Sequence, residues 1–302
     1  MQDDGRWPAV PQGEWRETID TLHMWTQIAG KICLALTPRT NHYWNITFQI
    51  TPRGLATPTM PYGNGAFTIT FDLVAHQFLV QRSDGRTATI PLEPQTVADF
   101  YRRVMQTLHD MGIDVRIWTM PVEVPNPIRF EQDRTHHSYD PRAANTFWRM
   151  FLTIKPVLEE FRCRFIGKSS PVHFFWGGFD VAVTRFSGRR APDRPGADAV
   201  TRESYSHEVI SHGFWPGSGA VAEPSFYAYA APEPAGLKTT VVQPRAAFYS
   251  ADFNEFILPY DAVRSSNSPD QDLTAFLTTT YDAAATLGGW NRGELERKEL
   301  PI

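Results

Sequence analysis

The sequence predicts an α+β fold, antiparallel β-meanders packed with helices and arranged as two pseudo-repeated halves. Three observations carry this. Segments with helical apolar spacing bracket groups of alternating segments, the periods of helix and half-buried strand. The alternating segments follow one another through turn signals with no helix between them, which is meander order and unlike a doubly wound parallel sheet. Finally, one pattern occurs twice: KICLALTPRTNHYWNITFQITPRG at 31–54 and EFRCRFIGKSSPVHFFWGGFDVAVTRFSG at 160–188. Each copy runs from a helical Cys to a strand predicted to begin with His and Trp and to end near an Arg.

Residues 18–36 form the first predicted helix, because Leu22, Trp25, Ala29, Ile32 and Leu36 make one apolar stripe that Pro38 ends. Trp44, Ile46, Phe48 and Ile50 then alternate with polar residues, as do Phe67, Ile69, Phe71 and Leu73. Residues 76–82 and 86–92 flank Asp84-Gly85, a hairpin signal. Thr96 with Asp99 predicts the cap of a second helix closed by Gly112, and 115–118 reads as a short strand. Asp140-Pro141 starts a third helix that Pro156 should kink or split. Residues 173–186 read as one strand with a bulge at Gly177-Gly178. Short strands follow at 226–230, 246–249 and 254–258, then a last helix over 270–287.

The predicted organisation is a first half at 14–118, a Pro-rich connector at 119–139, and a second half at 140–290. One compact unit is expected. The second half carries an apparent insertion at about 186–224, beyond ordinary loop lengths, with Gly217-Ser218-Gly219 as a turn.

The charge balance, 29 Lys plus Arg against 33 Asp plus Glu, argues against a nucleic-acid surface. The two Cys lie in predicted helices, which suits a reducing, cytoplasmic setting and buried, inert thiols. The first residues have no apolar stretch of a signal peptide, and no run is apolar enough to span a membrane. Oligomeric state is not readable.

No phosphate loop, dinucleotide fingerprint, zinc-protease helix or nucleophile elbow is present. Histidines beside aromatic or glycine-rich sequence remain. His173, His207 and Glu208 are the candidate acid/base groups, since imidazole needs little tuning to work near neutral pH. Arg53 and Arg185 would hold an anion, with Trp44, Trp176 and Trp215 as aromatic walls and His42, Tyr205 and His212 completing the pocket. The expected function is an enzyme acting on a small polar or anionic metabolite in a pocket between the halves. A non-catalytic ligand-binding protein and a structural or interaction module are the alternatives. No metal site is assigned, although a divalent metal on His42, His173, His207 and His212, with Glu208 or Glu203, stays open as a cofactor.

The strings WTQIAGKICLALTP, NHYWN, IDVRIWTMPVEVPNPI, SPVHFFWGGFDVAVTRFSGRRAP, SHEVISHGFWPG and FYAYAAPEP resemble an uncharacterised bacterial family, catalogued as domain of unknown function 5996. The resemblance spans about residues 7–295. It implies a cytoplasmic bacterial protein of one architecture, and no activity, cofactor or catalytic residue.

Overall fold

The computed structural model describes residues 6–11, 15–217 and 221–298; Ser218 and Gly219 of the expected turn lie outside them. Helix α1 (Trp15–Leu36) leads through a 3-10 turn (Asn41–Ile46) into β1 (Gln49–Thr51), β2 (Gly54–Ala56), β3 (Met60–Tyr62), β4 (Gly65–Asp72), β5 (Gln77–Arg82) and β6 (Thr87–Pro91), then α2 (Val97–Asp110). After the connector come α3 (Pro141–Cys163), β7 (His173–Phe175), β8 (Asp180–Arg190), α4 (Ala199–Ser204), β9 (His207–Trp215), β10 (Ser225–Ala231), β11 (Phe248–Ser250), β12 (Glu255–Pro259), α5 (Tyr260–Arg264), α6 (Pro269–Leu287) and α7 (Arg292–Leu295).

Both sheets are antiparallel and six-stranded. The first runs β1-β2-β4-β5-β6 with β3 also on β4, and the second runs β11-β12-β10-β9-β8-β7. They meet where Phe48 and Phe174 exchange backbone hydrogen bonds of 2.8 and 2.9 Å. Helix, meander, helix is thus the order of both halves, and one apolar core runs through both. The fold is α+β, as the alternation predicts.

Local chemistry explains the helix boundaries. The Thr96 hydroxyl accepts from the Asp99 amide and donates to the Asp99 carboxylate, a closed cap. Asp140 accepts from the Arg142 amide at the start of α3, with Pro141 in the first turn where its missing N–H costs nothing. Helix α3 continues through Pro156 as one helix rather than splitting there.

Four expectations need correction. Residues 44–50 are not one strand: His42 and Tyr43 have φ of 56° and 57°, so the chain turns left-handed and β1 begins only at Gln49. Residues 173–186 are not one strand either; β7 and β8 form a hairpin, with Gly177-Gly178 in its turn. Residues 115–118 pair with nothing in either sheet. The apparent insertion is no excursion, because its second part is β9, an interior strand between β8 and β10.

Candidate functional site

The second sheet has two faces of different character. Helices α3 and α6 cover one: Ile210 and Phe214 of β9 join the main core, and His212 bonds Thr280 of α6. The other face presents the alternate residues, as strand geometry requires. Register aligns Asp180 with Phe175, Ala182 with His173 and Gly213, Thr184 with Ser211, and Phe186 with Val209. On β10, Tyr227 lies beside Gly213 and Tyr229 beside Ser211.

Small residues form the centre of this outer face, where Ala182 lies beside Gly213 and Thr184 beside Ser211. A Cβ on Gly213 would stand 2.4 Å from the Tyr227 ring, so the phenol lies flat across the glycine. Its hydroxyl thereby reaches Asp180 and donates to Oδ2 at 2.5 Å. Beside it the Thr184 and Ser211 hydroxyls bond at 2.8 Å, and the Tyr205 and Tyr229 hydroxyls at 2.9 Å. Trp215 borders Tyr227 at 5.7 Å, and Phe175 borders His173 at 4.6 Å.

The electrostatics are unusual. Desolvation pushes the half-buried Asp180 carboxyl up to about 7, opposed by the Tyr227 hydrogen bond and reinforced by the charge of Glu123. Glu255, also half-buried, is pushed up to about 7 by desolvation and by Asp180. Glu123 comes from the connector; its carboxylate presses on the β7–β8 turn, 2.5 Å from where a Cβ on Gly177 would stand, and desolvation raises it too. Burial holds the Tyr227 and Tyr229 phenols well above their usual range.

His173 lies on the same face, opposite Ala182 of β8, buried, with one nitrogen unused. The Thr47 hydroxyl donates to Trp44 O at 3.0 Å, so it accepts from His173 Nδ1–H at 2.9 Å. Nε2 is then an unprotonated acceptor, and it has no partner among the described residues. Burial pushes this imidazole down to about 3, so it stays neutral at physiological pH.

A basic cluster lies beyond. Lys168 Nζ donates to His42 Nε2 at 2.7 Å, which leaves His42 Nδ1–H to donate to Glu203 O at 3.0 Å. The Lys168 ammonium stands 5.0 Å from the Phe186 ring centre and 5.6 Å from that of Trp44. The His207 ring is 6.0 Å from His42.

The structure therefore gathers His42, Trp44, His173, Tyr205, His207 and Trp215 on one face, and scatters the rest. Glu208 follows His207 on the strand and points the other way, where Ser187 and Arg189 occupy it at 2.8 Å. His207 and Glu208 are thus no acid/base couple. Arg53 is an exposed arginine paired with Asp72 at 2.6 Å in the first half. Arg185 is buried on the helix side, donating to Phe161 O with its guanidinium 3.5 Å from the Phe161 ring centre. Trp176 donates to Ile46 O at 2.9 Å inside the core. His212 faces the helices, so the four histidines do not converge, and no set of three or more His, Cys, Asp or Glu among the described residues is placed to hold a metal. Cys33 is buried, with its thiol pushed up to about 11, whereas Cys163 is half-buried.

Sequence reading missed Asp180, Tyr227, Tyr229, Glu255, Glu123 and Lys168. A signal was present: FDVAVT and FYAYA place Asp180 with Thr184, and Tyr227 with Tyr229, on one strand face.

These features define a class: a two-sheet α+β protein whose second sheet leaves a polar, tyrosine-lined face outside its helix layer. The chain belongs to the family of unknown function DUF5996, which matches residues 7–297. No curated protein and no solved structure matches the chain. Among the described residues, no helix is long and apolar enough to cross a membrane.

Proposed function

We propose that the protein is an enzyme that binds a small polar metabolite on the outer face of the second sheet and moves a proton there. The observation that carries this is the Asp180–Tyr227 pair laid over Gly213, with the unpartnered His173 Nε2 on the same face. A carboxyl that gains and loses its proton near neutral pH is suited to general acid/base work. The acid/base role thereby moves from His207 and Glu208 to Asp180, with Tyr227 orienting its carboxylate. His173 supplies an acceptor for a ligand N–H or O–H; a buried acceptor left without one costs about 1–3 kcal/mol. Tyr205, Tyr229, Thr184 and Ser211 supply further hydroxyls, and Trp215, Phe175 and Trp44 supply apolar walls. A cytoplasmic protein of bacterial origin is the setting this reading assumes, with small molecules rather than nucleic acid as partners.

The test is a thermal-shift screen of polar metabolites against the wild type, Tyr227→Phe and Asp180→Asn. The expected result is a ligand that stabilises the wild type, loses about tenfold or more in affinity with Tyr227→Phe, and is converted by the wild type but not by Asp180→Asn. Ligands indifferent to both substitutions would remove the site from this face. Tight binding with no conversion by the wild type would leave a binding protein.

A further inference from the structure

The basic cluster at the other end of the outer face has chemistry of its own. Lys168 is exposed, yet its ammonium is fixed by a 2.7 Å bond to the buried His42 and by the faces of Phe186 and Trp44. Because Lys168 donates to His42 Nε2, that imidazole is neutral, and the ammonium keeps further N–H groups to offer. Arg190 is the strand partner of His207. Neither Lys168 nor Arg190 has an ion-pair partner among the described residues. Glu203, whose backbone oxygen accepts from His42, has its carboxylate 3.8 Å from Arg39. Three groups able to carry positive charge thus share a corner whose acid is turned elsewhere.

We propose that Lys168, Arg190 and His207 form an oxyanion subsite, which takes the phosphate or carboxylate of the ligand whose donor groups meet His173 and Tyr229. This rests on the function proposed above and deepens it. Phe186, beneath Lys168, is two residues from Thr184 along β8 and six from Asp180, roughly 7 and 20 Å at strand spacing. The ligand class is therefore an elongated metabolite, anionic at one end and bearing amine or hydroxyl donors along its length. The acidic and basic ends set its direction on the sheet, since reversing it would juxtapose like charges.

The full-length protein is titrated with inorganic phosphate, and separately with acetate, at ionic strength held constant with chloride, while NMR follows the His207 and His42 ring protons. In the unliganded protein the His207 imidazole is held below its usual value by desolvation and by Lys168 and Arg190. A bound oxyanion offsets those charges, so its titration moves upward. Lys168→Met and Arg190→Gln each weaken phosphate binding by about tenfold, the weight of one charge-assisted hydrogen bond. Lys168→Arg keeps most of it. Should Lys168→Met fail to fold, Arg190→Gln alone decides. A phosphate response matched by chloride, or unchanged in both variants, overturns the subsite. A stronger response to phosphate than to acetate makes the anionic end a phosphate, and the reverse makes it a carboxylate. Asp180→Asn leaves phosphate binding intact, so failure of the catalytic reading and failure of the subsite give different results.

Discussion

The site depends at the residue scale on one absence of a side chain. Gly213 lets the Tyr227 ring lie down, and only a phenol lying down reaches Asp180. Gly213→Ala drives a methyl group into the ring and against Val181 O, 2.5 Å away, so the phenol must leave. The expected loss of stability is about 1–3 kcal/mol, an overpacking cost, read as a lower urea midpoint. Tyr227→Phe leaves the packing in place and removes only the donor. The Asp180 carboxyl then loses the one interaction with Tyr227 that favours its charge, so its titration moves further up. An Asp180 side-chain carbon signal that titrates at the same pH in both proteins would refute that coupling. Gly213 does not stand out in the sequence, because it looks like a strand weakness, and Tyr227 is marked only by its alternation with Tyr229.

The meander and the helices were legible as elements wherever one face is wet. Strands β4, β5 and β6 alternate because their outer residues meet water, and the caps of α2 and α3 announce themselves through Thr96 and Asp140. Strand β9 was not legible, because residues on both its faces are buried, those of the outer face by the side chains of Trp44, Tyr205 and Tyr227: Val209, Ile210, Ser211, His212 and Phe214 are all buried, which erases the alternation. Hence the apparent insertion, and hence a misplaced His207–Glu208 couple. The duplicated His/Trp pattern misled in the same way. Topology repeats, but His42 and Trp44 lie in a turn before β1 whereas His173 lies on β7 and Trp176 in the following turn. The α2 cap gives a simple check on element boundaries. Thr96→Ala removes the bond to the Asp99 amide and frees the Asp99 carboxylate, for a loss of about 1 kcal/mol in chemical denaturation. A change near zero would mean that tertiary packing alone sets where α2 begins.

For the whole molecule the two ends of the titration curve are set by different groups, and the signs oppose. Burial lowers His23 to about 4, His173 to about 3 and His212 well below its usual value. Below the ordinary imidazole value of 6.5 the unfolded chain takes up protons that the native state refuses, so stability falls as pH drops from there toward 3. Asp180 and Glu255 work the other way. Between their ordinary values near 4 and their native value of about 7, the native state holds protons that the unfolded chain has lost, so stability falls as pH rises through that range. Asp180→Asn combined with Glu255→Gln removes the second slope and leaves the first. Relative to the wild type, the pair of substitutions should gain stability steadily from pH 4 to pH 7 and level off above. The total is on the order of 1–3 kcal/mol, discounted because both groups are partly screened by water. Urea melts of both proteins at pH 4, 5.5 and 8 measure it. A difference that stays constant with pH would mean that Asp180 and Glu255 ionise as freely as in the unfolded chain. The outer face would then lack the stored protonation that the acid/base proposal needs. A difference that grows as described would show that the native fold carries two strained carboxyls on that face. A donor-bearing ligand would relieve the strain, so adding one should shrink the gap between wild type and variant at pH 8 and leave it unchanged at pH 4.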